Sequence, residues 1–434
     1  MRIHLDSIGC RLNQSEIETY ARQFRAAGHT LVPSPNEADL VVINTCTVTN
    51  AADSDSRGKI RSAVRSGADQ VIVTGCWSTL NQEIAEKIPG VNKVISNAEK
   101  TNLVPLALEI PAEDFDLEPV ARELIPGARL RTRAFIKVQD GCDNRCTFCI
   151  TTIARGPGKS RPIPEILADI RAALSSSGDL DTGAKEIVLT GVHLGSWGHD
   201  FQNPSNLFNL VRTILNETSV PRLRLSSLEP WDLDEQFFSL WDDPRLCRHL
   251  HLPLQSGSAS VLRRMARNTT PESFAKLVSS ARAACPEIAI TTDLIAGFPG
   301  ETDEEFLETI EYLQDLSFSG GHVFTYSERP GTAAAQMPGQ VPFPLRKERN
   351  AELRKILAGS ALQYQELFID QILSVLWESV IEMNSESWNL SGLTDNYLRI
   401  HSQAPNNFWN QISPVLITGN GDHGLEGVIR TGQP

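Results

Sequence analysis

Three cysteines, Cys10, Cys46 and Cys76, each stand just past an apolar, strand-like run: Arg2 to Ser7, Leu40 to Ile43 and Val71 to Thr74. In an open parallel sheet, ligands gather outside the carboxyl ends of the strands. Cysteines that share this position therefore converge at one rim although they lie 30 or more residues apart. The competing reading is three buried bystanders, since a free cysteine packs as a small hydrophobe.

A second set is tight: Cys142-x3-Cys146-x2-Cys149. A closed structural zinc takes four protein ligands and an ordinary electron-transfer cluster takes four cysteines. Each set of three is one ligand short, which leaves a coordination position for something that is not protein. Eight cysteines in 434 residues are too sparse for a disulfide framework. Cys247 and Cys285 fall outside both sets and read as packing residues. Hydrophobic residues make up 41% of the chain and charged residues 21%, enough for two or three cored domains. No stretch approaches the ~18 apolar residues of a membrane span and the N-terminus lacks an apolar signal core, so a cytoplasmic protein without membrane contact is expected.

The pattern divides the chain in three. Residues 1–125 read as an open α/β domain, with Asn13 as the N-cap of a helix that presents Ile17, Tyr20 and Phe24 on one face. A Pro- and acid-rich stretch from Pro105 to Pro126 reads as a linker. Residues 126–362 alternate strand and helix six times, with strands beginning at Phe135, Glu186, Leu223, His249, Ala289 and His322. Helices are expected over Pro164 to Ser176, Leu207 to Leu215, Leu233 to Trp241, Ser258 to Ala284 and Asp303 to Leu316. Such alternation predicts a parallel sheet curled toward a barrel, a partial (βα)6 unit, with its site at the carboxyl ends of the strands. The cysteine triplet follows the first of these strands. Residues 363–434 turn to short strands around turns at Asn389 to Asp395 and Gly419 to Gly424, a small antiparallel β-barrel.

Three thiolates on one short loop can hold three irons of a 4Fe-4S cluster, with the fourth iron open to the amino and carboxylate groups of a small molecule. A truncated zinc knuckle is the alternative for a lone triplet. The spacing after the first barrel strand, with Phe148 before the last cysteine, resembles the radical S-adenosylmethionine superfamily. The wider set of motifs narrows the resemblance to its methylthiotransferases. These are Gly9-Cys-Arg-Leu-Asn-Gln14, Asn44-Thr-Cys46, Thr74-Gly-Cys76, Gln139-Asp-Gly-Cys142, Ala154-Arg-Gly156, His251-Leu-Pro-Leu-Gln-Ser-Gly257, Asp293-Leu-Ile-Ala-Gly-Phe-Pro-Gly-Glu301 and Tyr326-Ser-Glu-Arg-Pro-Gly-Thr332. Asn44-Thr-Cys-Thr-Val-Thr-Asn50 looks most like the branch acting on N6-threonylcarbamoyladenosine in tRNA.

The resemblance implies two 4Fe-4S clusters and S-adenosylmethionine as cofactors, with a TRAM-like domain at the C-terminus. Cys142, Cys146 and Cys149 would hold the cluster that generates a 5'-deoxyadenosyl radical, and Cys10, Cys46 and Cys76 the cluster that presents sulfur. Gly191 and Gly297 stand where such enzymes contact S-adenosylmethionine, and Glu229 and Gln255 occupy later strand ends as further candidate contacts; each of the four reads equally as a turn glycine or a satisfied polar group. Implied partners are the tRNA anticodon stem-loop, an electron donor such as flavodoxin or ferredoxin, and a sulfur donor. The implied product is a 2-methylthio base at tRNA position 37. Isopentenyladenosine or a ribosomal-protein aspartate are sister substrates, and an iron-sulfur RNA-binding or electron-transfer protein without turnover is the reading from another class.

Net charge is -13, with 40 basic against 53 acidic residues, so the surface as a whole does not attract a polyanion. Locally, Arg129, Arg131, Arg133, Lys137, Arg145, Arg155, Lys159 and Arg161 face only Asp140 and Asp143, and this run is expected to supply phosphate contacts. The C-terminal module has only Arg399 and Arg430 against eight acidic residues. With an RNA substrate it would contribute shape or stacking, through Trp388, Tyr397 or Trp409, more than charge; the default reading of these aromatics is core packing.

Overall fold

The computed structural model describes residues 1–111, 115, 125–126, 131–176, 181–383 and 387–430. Most of the expected linker from Pro105 to Pro126, and Arg129, lie outside them.

The N-terminal sheet is wholly parallel, in the order Thr30–Leu31, Arg2–Ser7, Leu40–Thr45, Gln70–Gly75, Lys93–Ile95. Leu40–Thr45 is buried at every position, as a strand covered on both faces must be. Its alternate side chains divide between two cores. Leu40 and Val42 pack with Ile3 and Phe24 under one layer, while Val41 and Ile43 pack with Ile60, Val73 and Trp77 under the other. The register pairs Ser7 with Asn44 and Thr45 with Gly75, which brings the three strand ends level. Asn13 is not the N-cap that the sequence suggested: the helix Arg11–Ala26 begins directly after Cys10. Asn13 instead sits one turn in, donating through Nδ2 to the carbonyls of Ile8 at 2.7 Å and Thr45 at 3.1 Å.

Two three-stranded parallel sheets form the central unit: Leu223–Leu225, Glu186–Thr190, Arg133–Lys137, and His249–His251, Ala289–Ala296, Gly320–Thr325. They meet where Ser227 pairs with His251 and the Leu228 amide bonds the His251 carbonyl at 3.0 Å, giving one curved six-strand arc. The helix expected over Ser258 to Ala284 is two helices, Ala259–Arg264 and Pro271–Ala284. Pro271 cannot continue a helix and is preorganised to start one. Thr270 caps it through a reciprocal bond with Ser273, and Ala266 breaks the first helix at φ +54°. A helix the sequence reading did not anticipate, Phe343–Glu366, runs beyond residue 362.

Five strands close a C-terminal barrel in the order Ile372–Met383, Trp388–Thr394, Arg399–Ala404, Gly424–Ile429, Ile412–Gly421. The stretch from Asn389 to Asp395 is mostly strand, not the turn expected. Its Leu390 enters the core, and Gly392 passes so close to Val375 and Leu376 that a Cβ would meet them at 2.4 and 2.7 Å. The turn that follows is pinned to the central unit by three arginines. Arg222 donates to the Leu393 carbonyl at 3.0 Å, and Arg224 to those of Thr394 and Asp395, both at 3.0 Å. Arg248 pairs with Asp395 at 2.6 Å. This seats the Tyr397 ring flat on His249, with centroids 4.4 Å apart.

Candidate active site

Level strand ends place Cys10, Cys46 and Cys76 on one wall of a cavity of about 540 Å³. Gly9 (φ +103°) and Gly75 (φ +99°) make the approach to this wall tight. A Cβ on Gly9 would lie 2.5 Å from both Cβ and Sγ of Cys46, and one on Gly75 would lie 2.3 Å from the Thr45 carbonyl oxygen. Burial pushes the Cys46 thiol up to about 11, so its thiolate needs a cation beside it. Iron would be that cation.

The second set sits on the loop after Arg133–Lys137. Gly141 (φ +69°) turns the chain against Pro157, and the Cys142 amide bonds the Gly156 carbonyl at 3.0 Å. Arg267 extends toward Cys146 Sγ at 3.6 Å while gripping Glu229 at 2.5 and 3.1 Å. Burial opposes a charge on His193, but hydrogen bonds to Asp232, at 2.7 Å, and to Cys142 prevail and raise it to about 10. His249 and His251 both hydrogen-bond Thr291.

Among the described residues no group of three His, Cys, Asp or Glu side chains is arranged to hold a single metal ion. Each set offers three thiols, the number that a 4Fe-4S cluster with one iron open to a small molecule would take. A second observation points to a ligand in the cavity. Ser226 Oγ, His249 Nδ1, Asp293 Oδ1 and Ser319 Oγ belong to residues on its wall, are buried, and find no partner among the described residues.

Gly191 lines the same cavity, and Gln139 Oε1 accepts from the next two amides, Val192 at 3.0 Å and His193 at 2.9 Å. Glu229 lies beside the triplet through Arg267. Gln255 adopts φ +74°, rare for a side-chain residue, and its amide and carbonyl pair with Asp293 and Ile295. Gly297 packs on Arg346, where a Cβ would meet Cγ at 2.4 Å, and its amide donates to Glu301 at 3.1 Å. Glu229, Gln255 and Gly297 do not line the cavity that holds Cys10, Cys46 and Cys76.

The basic run does not form the expected groove. Arg133 pairs with Glu378, Lys137 with Glu16 and Asp140, Arg155 with Glu16 and Asp140, and Arg161 with Asp169. The Arg155 side chain is 2% exposed. Asp140 was in the local charge count, but Glu378 lies 245 residues from Arg133 and Glu16 lies 121 from Lys137, where a local count could not find them. Among the described residues of this run Arg131, Arg145 and Lys159 are exposed. Sequence reasoning also missed Arg267, Arg329, Asn97 and Arg11. Arg267 and Asn97 each hydrogen-bond a cysteine thiol, and Arg11 lines the cavity. The Arg329 signal lay inside the quoted Tyr326 to Thr332 motif.

A curved parallel arc with three thiols on the loop after its first strand defines the class of radical S-adenosylmethionine enzymes. The radical SAM superfamily pattern matches residues 136–313, and that of the "Uncharacterized protein family UPF0004" matches residues 2–96. The fold resembles the radical S-adenosylmethionine methyltransferase TsrM of Kitasatospora setae, with TM-score 0.57 and 17% identity over 77% of each chain. The threonylcarbamoyladenosine tRNA methylthiotransferase MtaB of Bacillus subtilis is 35% identical over 95% of this chain and 92% of its own. The Thermotoga maritima protein of that name is 35% identical over 92% and 90%. The tRNA-2-methylthio-N(6)-dimethylallyladenosine synthase of Caldicellulosiruptor saccharolyticus is 31% identical over 98% and 92%. This chain belongs to the methylthiotransferase family. It is a transferase of the radical class, with S-adenosylmethionine and 4Fe-4S as its cofactors, and not an electron carrier without turnover.

Proposed function

We propose that this enzyme places a methylthio group on C2 of N6-threonylcarbamoyladenosine at position 37 of tRNA. The observation that carries the choice of base is the polar end of the cavity. Arg11 and Tyr397 line it together with His251, and Arg11 donates to the Tyr397 hydroxyl at 2.8 Å. A threonylcarbamoyl group brings a carboxylate, a hydroxyl and a carbamoyl, whereas an isopentenyl group brings only hydrocarbon. Burying a carboxylate requires a cation and hydrogen-bond donors, and unpartnered polar atoms would be left stranded by an isopentenyl group. The higher identity to the two threonylcarbamoyladenosine enzymes supports the same choice.

In this reading Cys142, Cys146 and Cys149 hold one 4Fe-4S cluster and Cys10, Cys46 and Cys76 a second. Bound there, the first would supply the electron that cleaves S-adenosylmethionine and the second would supply the sulfur. The chain's own part is to bind, orient and exclude water. Gly191 would present backbone to the methionine portion of S-adenosylmethionine, with Glu229, Gln255 and Gly297 as further contacts. Arg267 would hold Glu229 in place. Substrate would be the anticodon stem-loop, met in the cytoplasm, where a flavodoxin or ferredoxin would give electrons and a separate donor sulfur. Among the described residues no helix is long and apolar enough to cross a membrane.

Mass spectrometry of tRNA nucleosides from cells lacking the enzyme tests this. The 2-methylthio form of threonylcarbamoyladenosine should disappear and its unmodified precursor accumulate. Loss of the isopentenyl derivative instead would assign the enzyme to the sister substrate.

A further inference from the structure

Each of the three N-terminal cysteines is one intermediary away from the central unit. Cys10 Sγ donates to Asn13 Oδ1 at 3.7 Å, and the same oxygen accepts from Arg155 Nη2 at 2.9 Å. Cys76 Sγ accepts from Asn97 Nδ2 at 3.6 Å, and the same nitrogen donates to the Ala154 carbonyl at 2.8 Å. Beside Cys46, the Thr47 carbonyl accepts from Arg329, which also reaches Asn50 at 2.6 Å and Asp53 at 3.2 Å. Both arginines are nearly sealed from solvent, at 2% and 5% exposure. Ala154 and Arg155 end the short helix Thr151–Arg155, which begins two residues after Cys149. Two of the three contacts therefore lead along one helix to the barrel's own cysteines.

An ordinary domain interface spreads its polar contacts over its area and permits relative motion. Here two nearly buried arginines and one side-chain amide make their bonds beside the three cysteines, the arginine bonds being charge-assisted. Reactions between two bound groups depend steeply on their separation, and a misplacement of ~1 Å can cost ~100-fold. We propose that Arg155, Arg329 and Asn97 form a three-point clamp that registers the N-terminal cysteine set on the barrel's cysteine loop. They are positioning residues, and they couple cleavage of S-adenosylmethionine to product formation. This rests on the reading that both sets hold clusters.

The test uses the full chain, anaerobically reconstituted, with Arg329→Gln, Arg329→Lys and Asn97→Ala. Iron content, the magnetic interaction between the two reduced clusters in electron paramagnetic resonance, and the ratio of 5'-deoxyadenosine to methylthio nucleoside are read together. The clamp predicts about eight irons in every variant, an altered magnetic interaction, and a ratio raised about tenfold in Arg329→Gln and less in Arg329→Lys. Asn97→Ala, which removes a separate point of contact, should raise the ratio as well. Eight irons with unchanged ratio and spectrum would overturn the clamp alone. Iron lost in step with product would overturn it too, because the residues would then be supports of one site. About four irons in the unaltered protein would overturn the two-cluster reading and the clamp with it.

Discussion

Arg155 crosses from the barrel to meet Asn13 at 2.9 Å, and in the same place it closes on Asp140 at 2.8 Å and Glu16 at 3.3 Å. Lys100 also reaches Glu16, at 2.6 Å, with both side chains almost fully buried. A basic residue that looked like a phosphate ligand is thus the centre of a buried charge network between two domains.

Removing it should weaken the fold measurably. Arg155→Met leaves Glu16 and Asp140 with Lys100 and Lys137 alone, and stripping one member from such a network costs about 3 kcal/mol. Urea unfolding measures this directly; a loss under about 0.5 kcal/mol would show that Lys100 and Lys137 neutralise the site without it.

The same network sets an acid limit. Burial alone would raise both carboxyls, but Lys100, Lys137 and Arg155 outweigh it, holding Glu16 far below its usual range and Asp140 at about 2. A folded-state value below the unfolded one contributes stability above the unfolded value, and that stability is lost as pH falls through the folded one. Stability should hold to about pH 5 and decline between about pH 4 and 2. Replacing Glu16 by Gln should shrink that decline in a pH series of unfolding curves; an unchanged decline would place the acid sensitivity elsewhere.

RNA affinity should come from other cations than the run around the triplet. Arg57, Arg61 and Arg65 recur every fourth residue along Asn50–Arg65, so they share one face, and all three are exposed. That helix starts two residues beyond Val48, a residue of the cavity wall. Each phosphate contact contributes about one to the salt slope, so replacing all three by Ala should flatten it by up to about three. A slope that stays the same across a salt series would exclude this face.

Gly9 and Gly75 should be intolerant of a single methyl. Both need positive φ, and an added Cβ would collide with the Cys46 side chain or the Thr45 backbone. Gly9→Ala should lower reconstituted iron from about eight to about four, with the barrel's cluster intact. Full iron loading would mean the wall relaxes more easily than its packing suggests.

The positions of the cysteines were legible because strand period and strand-end placement are local properties of sequence. Leu40 to Ile43 could only be a buried strand, so Cys46 had to emerge at its rim. What joins them was not legible: Asn97 and Ala154 are 57 residues apart, and Arg329 and Asn50 are 279. Asn389 to Asp395 carries turn-forming residues, yet pairing on both edges, with Val375 to Met383 and with Arg399 to Ala404, overrides local preference and makes it strand. Conversely Pro271 did announce the helix break between Arg264 and Ala284, a local signal that the long apolar periodicity concealed.

The central claim is that two separate cysteine sets divide one reaction, and replacing Cys10, Cys46 and Cys76 together by Ala tests it most directly. After anaerobic reconstitution this variant should hold about four irons where the unaltered enzyme holds about eight. It should still release 5'-deoxyadenosine and make no methylthio nucleoside. Methylthio product at the normal rate would contradict the account, because sulfur would then reach the base without the site those three cysteines build.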